Sequence, residues 1–238
     1  KGWQKISTTT PPPAIVWGHT MVLAGDSAVV YGGDILSELN LTSRTWEMPC
    51  VEGPCPESRR QHSAVLSKSQ MVVFGGKTDA GQIQGDIWVL DLLGPAFRTF
   101  TMALRRCGTL LEPHCLHLIR RYAGLPLQWT WCPAHGALEP RYGHSAVLSP
   151  LGPRPMVVFG GHDGSFCLNT TFMVDVGQGG CAVEAAQCYG PLPAQRYGHS
   201  CAVAGDRMYV FGGQKYRTLL NDLWALNLNN DTWEQVDL

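Results

Sequence analysis

The stretch RYGHSAVLSPLGPRPMVVFGGHDGSF, residues 141–166, holds an arginine, two histidines and a glycine pair close together. Read alone, Arg141, His144 and His162 would suggest a catalytic or metal-binding set. A Gly-Gly pair would suggest a phosphate-binding loop. The rest of the chain argues against both interpretations, because it contains further versions of the same stretch. The four copies are WGHTMVLAGDSAVVYGG (17–33), RQHSAVLSKSQMVVFGG (60–76), YGHSAVLSPLGPRPMVVFGG (142–161) and YGHSCAVAGDRMYVFGG (197–213).

The spacing inside each copy predicts two strands joined by a turn. In three copies the first glycine of the pair lies 13 residues after the histidine, and in the third copy it lies 16 residues after it. The extra residues belong to SPLGPRP, which lengthens a turn between two strands. Short runs rich in β-branched and aromatic residues, bounded by Gly, Asp and Pro, favour strands over helices. A glycine pair at the end of the second strand is typical of backbone that turns with positive φ or packs closely.

Two more strands follow in each unit. The third is rich in aromatic and aliphatic residues and reads SELNL (37–41), GDIWVLDL (85–92), TTFMVDV (170–176) or NDLWALNL (221–228). The fourth carries a tryptophan, except that Val183 takes its place in the third unit. We label the four strands A to D. A four-stranded unit that recurs every ~40 to 55 residues is typical of a β-propeller blade.

The pattern R-x-x-H-S, then F-G-G, then N-D-L-W, then Trp resembles the kelch repeat. The resemblance implies an all-β fold, a propeller with four antiparallel strands in each blade. Kelch propellers usually close with six or seven blades, so we expect part of a larger or incomplete ring. The predicted blades span approximately residues 17–49, 59–133, 141–186 and 196–238. Residues 1–8, which carry Trp3, are predicted to be the outer strand of a preceding blade, and residues 94–127 a non-repeat insertion.

Residues that recur in every blade are predicted to be architectural, because a catalytic group occurs once. The glycine pairs also lack the Lys-Ser/Thr and the helix N-terminus that a phosphate site needs. We therefore predict no catalytic residue, no cofactor and no metal. The predicted structural set is His19, His62, His144, His199, Gly32, Gly33, Gly75, Gly76, Gly160, Gly161, Gly212, Gly213, Trp46, Trp129 and Trp233.

Alternating strand directions place the B–C and D–A loops on one face of the propeller. The B–C loops vary most between copies: GGKTDAGQIQGD, GGHDGSFCLNT and GGQKYRTLLND. Loops on a rigid scaffold often carry function, although most loop residues are ordinary solvated turn residues. The candidate partner-binding residues are Lys77, Asp79, His162, Asp163, Phe166, Lys215, Tyr216 and Arg217.

The insertion at 94–127 matches no part of the repeat and is locally basic, with five arginines against the single acid Glu112. Its HCLHLIRRY segment has the pattern of a short amphipathic helix. It is either a docking arm for an acidic partner or an insertion without a defined role. Its Cys107, Cys115 and two histidines do not have the paired spacing of a tetrahedral zinc site.

Composition restricts the kinds of partner and the location. The 238 residues carry a net charge of −1 and no apolar run long enough to span a membrane, so we expect neither nucleic-acid binding nor membrane insertion. Nine cysteines leave at least one thiol unpaired, which favours a cytoplasmic protein. Cys50 with Cys55 and Cys181 with Cys188 are candidate disulfides. Three N-x-Thr sequons, at Asn40, Asn169 and Asn230, point instead to a secreted or extracellular protein, although turn chemistry also explains them.

Together these features predict a non-enzymatic scaffold that binds protein partners through its B–C and D–A loops. The resemblance suggests an adaptor or a trafficking effector. One alternative is an extracellular, disulfide-bonded kelch region of a large receptor-like protein. A galactose-oxidase-like enzyme is a further alternative, but no Tyr, His and Cys set for its copper stands out in the sequence.

Overall fold

The computed structural model describes residues 2–14, 17–33, 35–94, 124–136, 138–151, 156–177 and 180–237. Within these ranges the chain forms twenty-two strands and no helix. Four sheets of four or five strands follow one another along the chain, and each contains an antiparallel A-B-C-D meander. The predicted all-β fold with four successive four-stranded blades is therefore confirmed.

The first and last blades are simple four-stranded sheets. Blade 1 consists of β1 (Thr20–Ala24), β2 (Ser27–Gly32), β3 (Ile35–Asn40) and β4 (Thr45–Glu47). Blade 4 consists of β17 (Ser200–Ala204), β18 (Arg207–Phe211), β21 (Leu223–Asn227) and β22 (Thr232–Val236).

The two middle blades each gain a fifth strand. Blade 2 consists of β7 (Ser63–Ser67), β8 (Gln70–Phe74), β10 (Ile87–Asp91) and β11 (Leu127–Cys132), with β5 (Val51–Glu52) parallel to β11. Blade 3 consists of β13 (Ser145–Leu148), β14 (Met156–His162), β15 (Cys167–Gly177) and β16 (Gly180–Ala185), with β12 (Ala134–His135) parallel to β16. Two short ladders complete the set: β6 (Arg59–Arg60) with β9 (Lys77–Thr78), and β19 (Gln214–Lys215) with β20 (Thr218–Leu219).

The connection that enters each blade runs beside the outer strand of that blade before it reaches strand A. This path explains β5 and β12, and the other two blades follow it with single contacts. Tyr189 forms a parallel bridge with Thr232 of blade 4. The Thr10 hydroxyl accepts the amide hydrogen of Trp46 in blade 1 and donates to the Trp46 carbonyl. The D–A segment therefore covers the outer edge of each sheet.

Residues 2–14 form no strand and Trp3 is fully exposed, so the assignment of residues 1–8 to a preceding blade stays a prediction. Residues 95–123, with the basic segment and its Cys and His residues, lie outside the described residues. Leu127, which we placed in the insertion, is the first residue of β11.

The hydrophobic core consists of three clusters, one between each pair of neighbouring blades. Strand B supplies fully buried residues in every blade, because it lies inside the sheet between strands A and C. The tryptophans of the outer strands pack against the preceding blade. Trp129 of blade 2 packs on Tyr31 of blade 1 at a ring distance of 5.1 Å, and Trp233 of blade 4 packs on Phe159 of blade 3 at 4.8 Å. The described residues contain no blade before blade 1, and Trp46 is only half-buried there.

The interface between blades 2 and 3 differs from the others. Val183 replaces the tryptophan there, and a disulfide joins Cys132 of β11 to Cys181 of β16. The predicted Cys181–Cys188 pair is therefore wrong, and Cys188 is a free thiol. Cys50 and Cys55 are also free, so the second predicted pair does not form. Spacing along the chain could not predict this bond, because its partners are 49 residues apart in different blades.

Candidate functional site

The repeated histidines connect each blade to the next. In three of the four copies the imidazole Nε2 lies within hydrogen-bonding distance of a hydroxyl on strand A of the preceding blade. Thr20 pairs with His62 at 2.8 Å, Ser63 with His144 at 2.8 Å and Ser145 with His199 at 2.7 Å. His19 belongs to the first blade and is exposed, as is Ser200 in the last. The histidine set therefore lies between blades and is not gathered into one site.

Burial keeps these histidines neutral. Desolvation, followed by the nearby Arg59 charge, lowers the pKa of His62 to about 3. Desolvation and then Arg196 lower the pKa of His199 to about 4, and burial places the pKa of His144 well below its ordinary value. A neutral imidazole that bonds a hydroxyl through Nε2 is suited to packing, not to proton transfer at neutral pH.

The repeated arginines fix the base of the B–C loops. Arg59, Arg141 and Arg196 are buried, and each donates Nη1 to the carbonyl of the first glycine of its own blade's pair. Arg59 and Arg196 also form two hydrogen bonds each with an aspartate at the start of strand C, Asp86 and Asp222 respectively. The Arg196 hydrogen bonds lower the pKa of Asp222 to about 2. In blade 3, Thr170 takes the place of the aspartate.

The glycine pairs permit close contact between neighbouring blades. A Cβ on Gly160 would lie 2.8 Å from the Arg196 carbonyl oxygen of blade 4, and one on Gly161 would lie 2.9 Å from the His144 Cβ. Both glycines have positive φ. The Gly161 amide donates to the same Arg196 carbonyl. The first glycine of the pair thus packs against the next blade, and the second packs against strand A of its own blade.

The B–C and D–A loops meet on one face, which we call the loop face. Backbone bridges join the two kinds of loop in the last three blades: β6 with β9, Tyr142 with His162, and Tyr197 with Gln214. The loop face is thus a set of short ladders and not a collection of unsupported loops. Contacts also run from one B–C loop to the next. The Tyr216 amide donates to the Cys167 sulfur, and Ile83 lies against Gly164.

An aromatic cluster occupies the part of the loop face between blades 2 and 4. His162 lies between Tyr142 and Tyr197, with ring distances of 5.3 and 5.4 Å, and the two tyrosine rings are 6.2 Å apart. The Lys77 ammonium lies 5.3 Å from the Tyr142 ring centre. All four side chains are partly exposed. The cluster offers ring edges, a phenol pair and a cation to a partner.

The structure distributes the remaining candidate residues around this cluster. Asp79 forms an ion pair with Arg60, whose guanidinium stacks 4.3 Å from the Trp17 ring centre. The Asp163 carboxylate accepts the amides of Ser165 and Phe166, which lowers its pKa and stabilises the turn. Phe166 and Tyr216 are exposed. Lys215 and Arg217 belong to the β19–β20 hairpin and its turn.

The sequence reasoning placed the D–A loops on this face but named none of their residues as candidates. Tyr142, Tyr197 and Arg60 each directly follow the repeated arginine, and Trp17 occupies the same position in the first copy. That position changes from copy to copy between neighbours that hardly change. Its variability was the signal that marked it as part of the loop face.

In the described ranges, no group of three or more His, Cys, Asp or Glu side chains is arranged to hold a metal ion. No helix in that part of the chain has the length and apolar character needed to cross a membrane.

Comparison with known proteins agrees with this architecture. A family model described as the KLHDC2/KLHL20/DRC7 kelch-repeats domain matches residues 121–238. The chain belongs to the kelch-repeat family. It is 26% identical to Kelch domain-containing protein 3 of Bos taurus over 99% of the chain and 59% of that protein. It is 24% identical to Host cell factor 2 of Homo sapiens over 99% of the chain and 29% of that protein.

Other relatives are much longer than the match. Acyl-CoA-binding domain-containing protein 5 of Arabidopsis thaliana is 30% identical over 81% of the chain and 26% of its own length. The Leucine-zipper-like transcriptional regulator 1 homolog of Drosophila melanogaster matches over 20% of its length. This kelch chain thus corresponds to a minor part of several larger relatives, whose names describe different activities.

Proposed function

We propose that this kelch chain is a non-enzymatic protein-interaction module and that its loop face binds a segment of a protein partner. The observation that carries the proposal is the Tyr142–His162–Tyr197 cluster. The repeated His, Arg and Gly residues are engaged within and between blades, whereas these three rings remain partly exposed. Tyr, Trp and Arg are the residue types that most often dominate binding energy at protein interfaces.

The charges of the loop face favour an acidic segment. Lys77, Lys215 and Arg217 have no ion-pair partner among the described residues. The acidic groups nearby are already engaged, since Asp79 pairs with Arg60 and Asp163 holds its turn. Unpaired cations around an aromatic centre attract carboxylates and steer their approach. In the whole protein we propose an adaptor or trafficking role for this contact.

Selection from a phage-displayed library of random dodecapeptides tests the proposal. Wild-type protein is expected to enrich peptides that carry carboxylates and an aromatic side chain. Lys215→Ala/Tyr216→Ala/Arg217→Ala is expected to lower the affinity for the selected peptides by about tenfold or more. A tenfold loss corresponds to about 1.4 kcal/mol of binding free energy. His162→Asn should have a similar effect, and its amide oxygen can still accept the Gly164 amide that the imidazole Nδ1 accepts now.

The matched control lies on the opposite face, where the C–D turns emerge. Leu41→Ala and Asn229→Ala change exposed residues there and should leave peptide affinity unchanged. Peptides that bind all of these variants equally, or a library that yields no enriched peptide, would contradict the proposal.

A further inference from the structure

The three sequons occupy three different environments. Asn40 is buried, and its side-chain oxygen accepts the amides of Thr42 and Ser43, at 2.9 and 2.8 Å. Asn169 uses the very nitrogen that a sugar would modify, because its Nδ2 donates to the Pro193 carbonyl at 3.2 Å. Asn230 is exposed, and within the described residues its Nδ2 has no hydrogen-bond partner.

The Asn230 turn is held by atoms that a sugar would leave intact. Its side-chain oxygen accepts the Thr232 amide at 3.2 Å, and its backbone carbonyl accepts the Thr232 hydroxyl at 3.3 Å. The Tyr189 amide donates to the carbonyl of Asp231. The turn thus keeps its hydrogen bonds when Nδ2 is substituted, which is the condition for a folded glycoprotein.

The location of Asn230 also leaves the loop face free. Asn230 follows β21 and precedes β22, so it lies in the C–D turn of blade 4, at the end of the blade opposite the B–C loops. Asn169 is the third residue of β15, strand C of blade 3, and lies near the loop face, where a glycan would cover candidate binding residues. A glycan at Asn230 is therefore compatible with partner binding and does not require it.

The disulfide between blades 2 and 3 independently indicates the cellular compartment in which the chain folds. Cys132 and Cys181 are both buried and are bonded to each other between blades 2 and 3. Disulfides form and persist in oxidising compartments, which are also where Asn-x-Thr sequons are glycosylated. The odd cysteine count favoured the cytoplasm, a location that stays an untested prediction. The buried disulfide favours the extracellular alternative.

We propose that Asn230 carries an N-linked glycan and that the chain matures in an oxidising secretory compartment, with Asn40 left unmodified. The modification joins the Asn230 Nδ2 to the anomeric carbon of an oligosaccharide. The donor is a lipid-diphosphate-linked oligosaccharide. The bond from that carbon to the diphosphate breaks, the lipid diphosphate leaves with the electron pair, and one amide proton is released. No oxidation or reduction occurs.

The test uses full-length protein isolated under non-reducing conditions from cells that produce it naturally, with no added leader. Release by peptide-N-glycosidase in ¹⁸O-water converts each glycosylated asparagine to labelled aspartate. We expect the label at residue 230, unmodified Asn40, and a peptide pair linked through Cys132 and Cys181. Unlabelled residue 230, or a label at residue 40, would overturn the proposal.

Two variants separate glycosylation from effects on the turn. Thr232→Ser keeps both the sequon and a hydroxyl for the Asn230 carbonyl, so it should retain the glycan. Asn230→Asp keeps the oxygen that accepts the Thr232 amide but removes the nitrogen that a glycan would modify. The variant should therefore fold normally but lose the slower gel migration that the glycan causes. An unchanged mobility shift in Asn230→Asp would place the glycan elsewhere and refute the assignment.

Discussion

At the residue scale, blade 3 lacks a charge that its neighbours have. Arg59 and Arg196 each bind an aspartate, and in both blades the tryptophan two residues later donates its indole N–H to the same carboxylate. Blade 3 has changed both positions together, to Thr170 and Phe172. Arg141 stacks 4.7 Å from the Phe172 ring centre. Its Nη2 has no hydrogen-bond partner among the described residues and forms only a longer ion pair, 3.6 Å, with the exposed Glu139 carboxylate.

We therefore expect Thr170→Asp to stabilise the protein by about 1 kcal/mol, because a carboxylate at this position can accept hydrogen bonds from Arg141. Urea unfolding measures the gain. Thr170→Asn is the matched control, since it has the same shape without the charge and should change stability little. Equal effects of Asp and Asn would show that the missing charge has no energetic consequence.

The buried histidines predict a pH dependence of stability. The folded-state pKa values, about 3 for His62 and about 4 for His199, lie below those of the unfolded chain. Between about pH 6.5 and pH 5 the unfolded chain therefore binds protons that the folded chain does not. Stability must fall as pH falls through this window, by up to about 1.4 kcal/mol per pH unit for each histidine.

Urea unfolding at pH 7, 6 and 5 measures this slope. His144→Gln should flatten it by the contribution of one histidine. Ser63→Ala removes the hydroxyl partner but keeps the imidazole, so it should lower stability while the slope remains. Equal stability of the wild-type protein at pH 7 and pH 5 would contradict the conclusion that the buried histidines stay neutral in the folded protein.

At the scale of the structural element, the blade was predictable because every copy repeats its turn chemistry. The histidine-to-glycine spacing predicted strands A and B, and the variable B–C loops predicted the loop face. Two features were not predictable for physical reasons. The disulfide joins different blades, and the rings of Tyr142 and His162 meet only because a bridge between loops brings them together. Both depend on how the sheets twist and stack, and the spacing of the sequence repeat gives no information about that.

Gly160 and Gly212 form a matched pair that measures blade-to-blade contact. Their φ angles are 66° and 65°, so alanine suffers the same backbone strain at both positions. A Cβ on Gly160 meets the next blade at 2.8 Å, whereas a Cβ on Gly212 meets the Leu220 carbonyl oxygen of its own blade at 3.2 Å. We expect Gly160→Ala to cost about 1–3 kcal/mol more than Gly212→Ala in urea unfolding of the 238-residue chain. Equal costs would contradict the packing role.

At the scale of the whole molecule, stability depends on the three interfaces between blades. The interface between blades 2 and 3 has the disulfide where the others have a tryptophan. The bond also links β11, which follows the long segment after β10, to β16 of blade 3. The outward faces of the end blades expose Met21, Leu23 and Phe211. Apolar contact between blades is thus the main source of stability, and the disulfide strengthens one such contact.

We expect Cys132→Ala/Cys181→Ala to lower stability by about 2–4 kcal/mol, because the cross-link restricts the unfolded chain. Cys50→Ser/Cys55→Ser changes two exposed free thiols and should have little effect. Calorimetry of both double variants makes the comparison. If the exposed pair proved as costly as the buried pair, the disulfide would not be the element that holds blades 2 and 3.

Repeated residues build the propeller, and we propose that individual residues of the loop face bind the partner. His144 and His162 lie in the same blade and represent the two classes. The most direct test measures, for His144→Asn and His162→Asn, both the unfolding temperature and the affinity of the folded protein for a library-selected peptide. We predict that His144→Asn lowers the unfolding temperature with affinity retained, and that His162→Asn lowers affinity about tenfold with the unfolding temperature unchanged. The reverse pattern, or loss of both properties in both variants, would contradict the account.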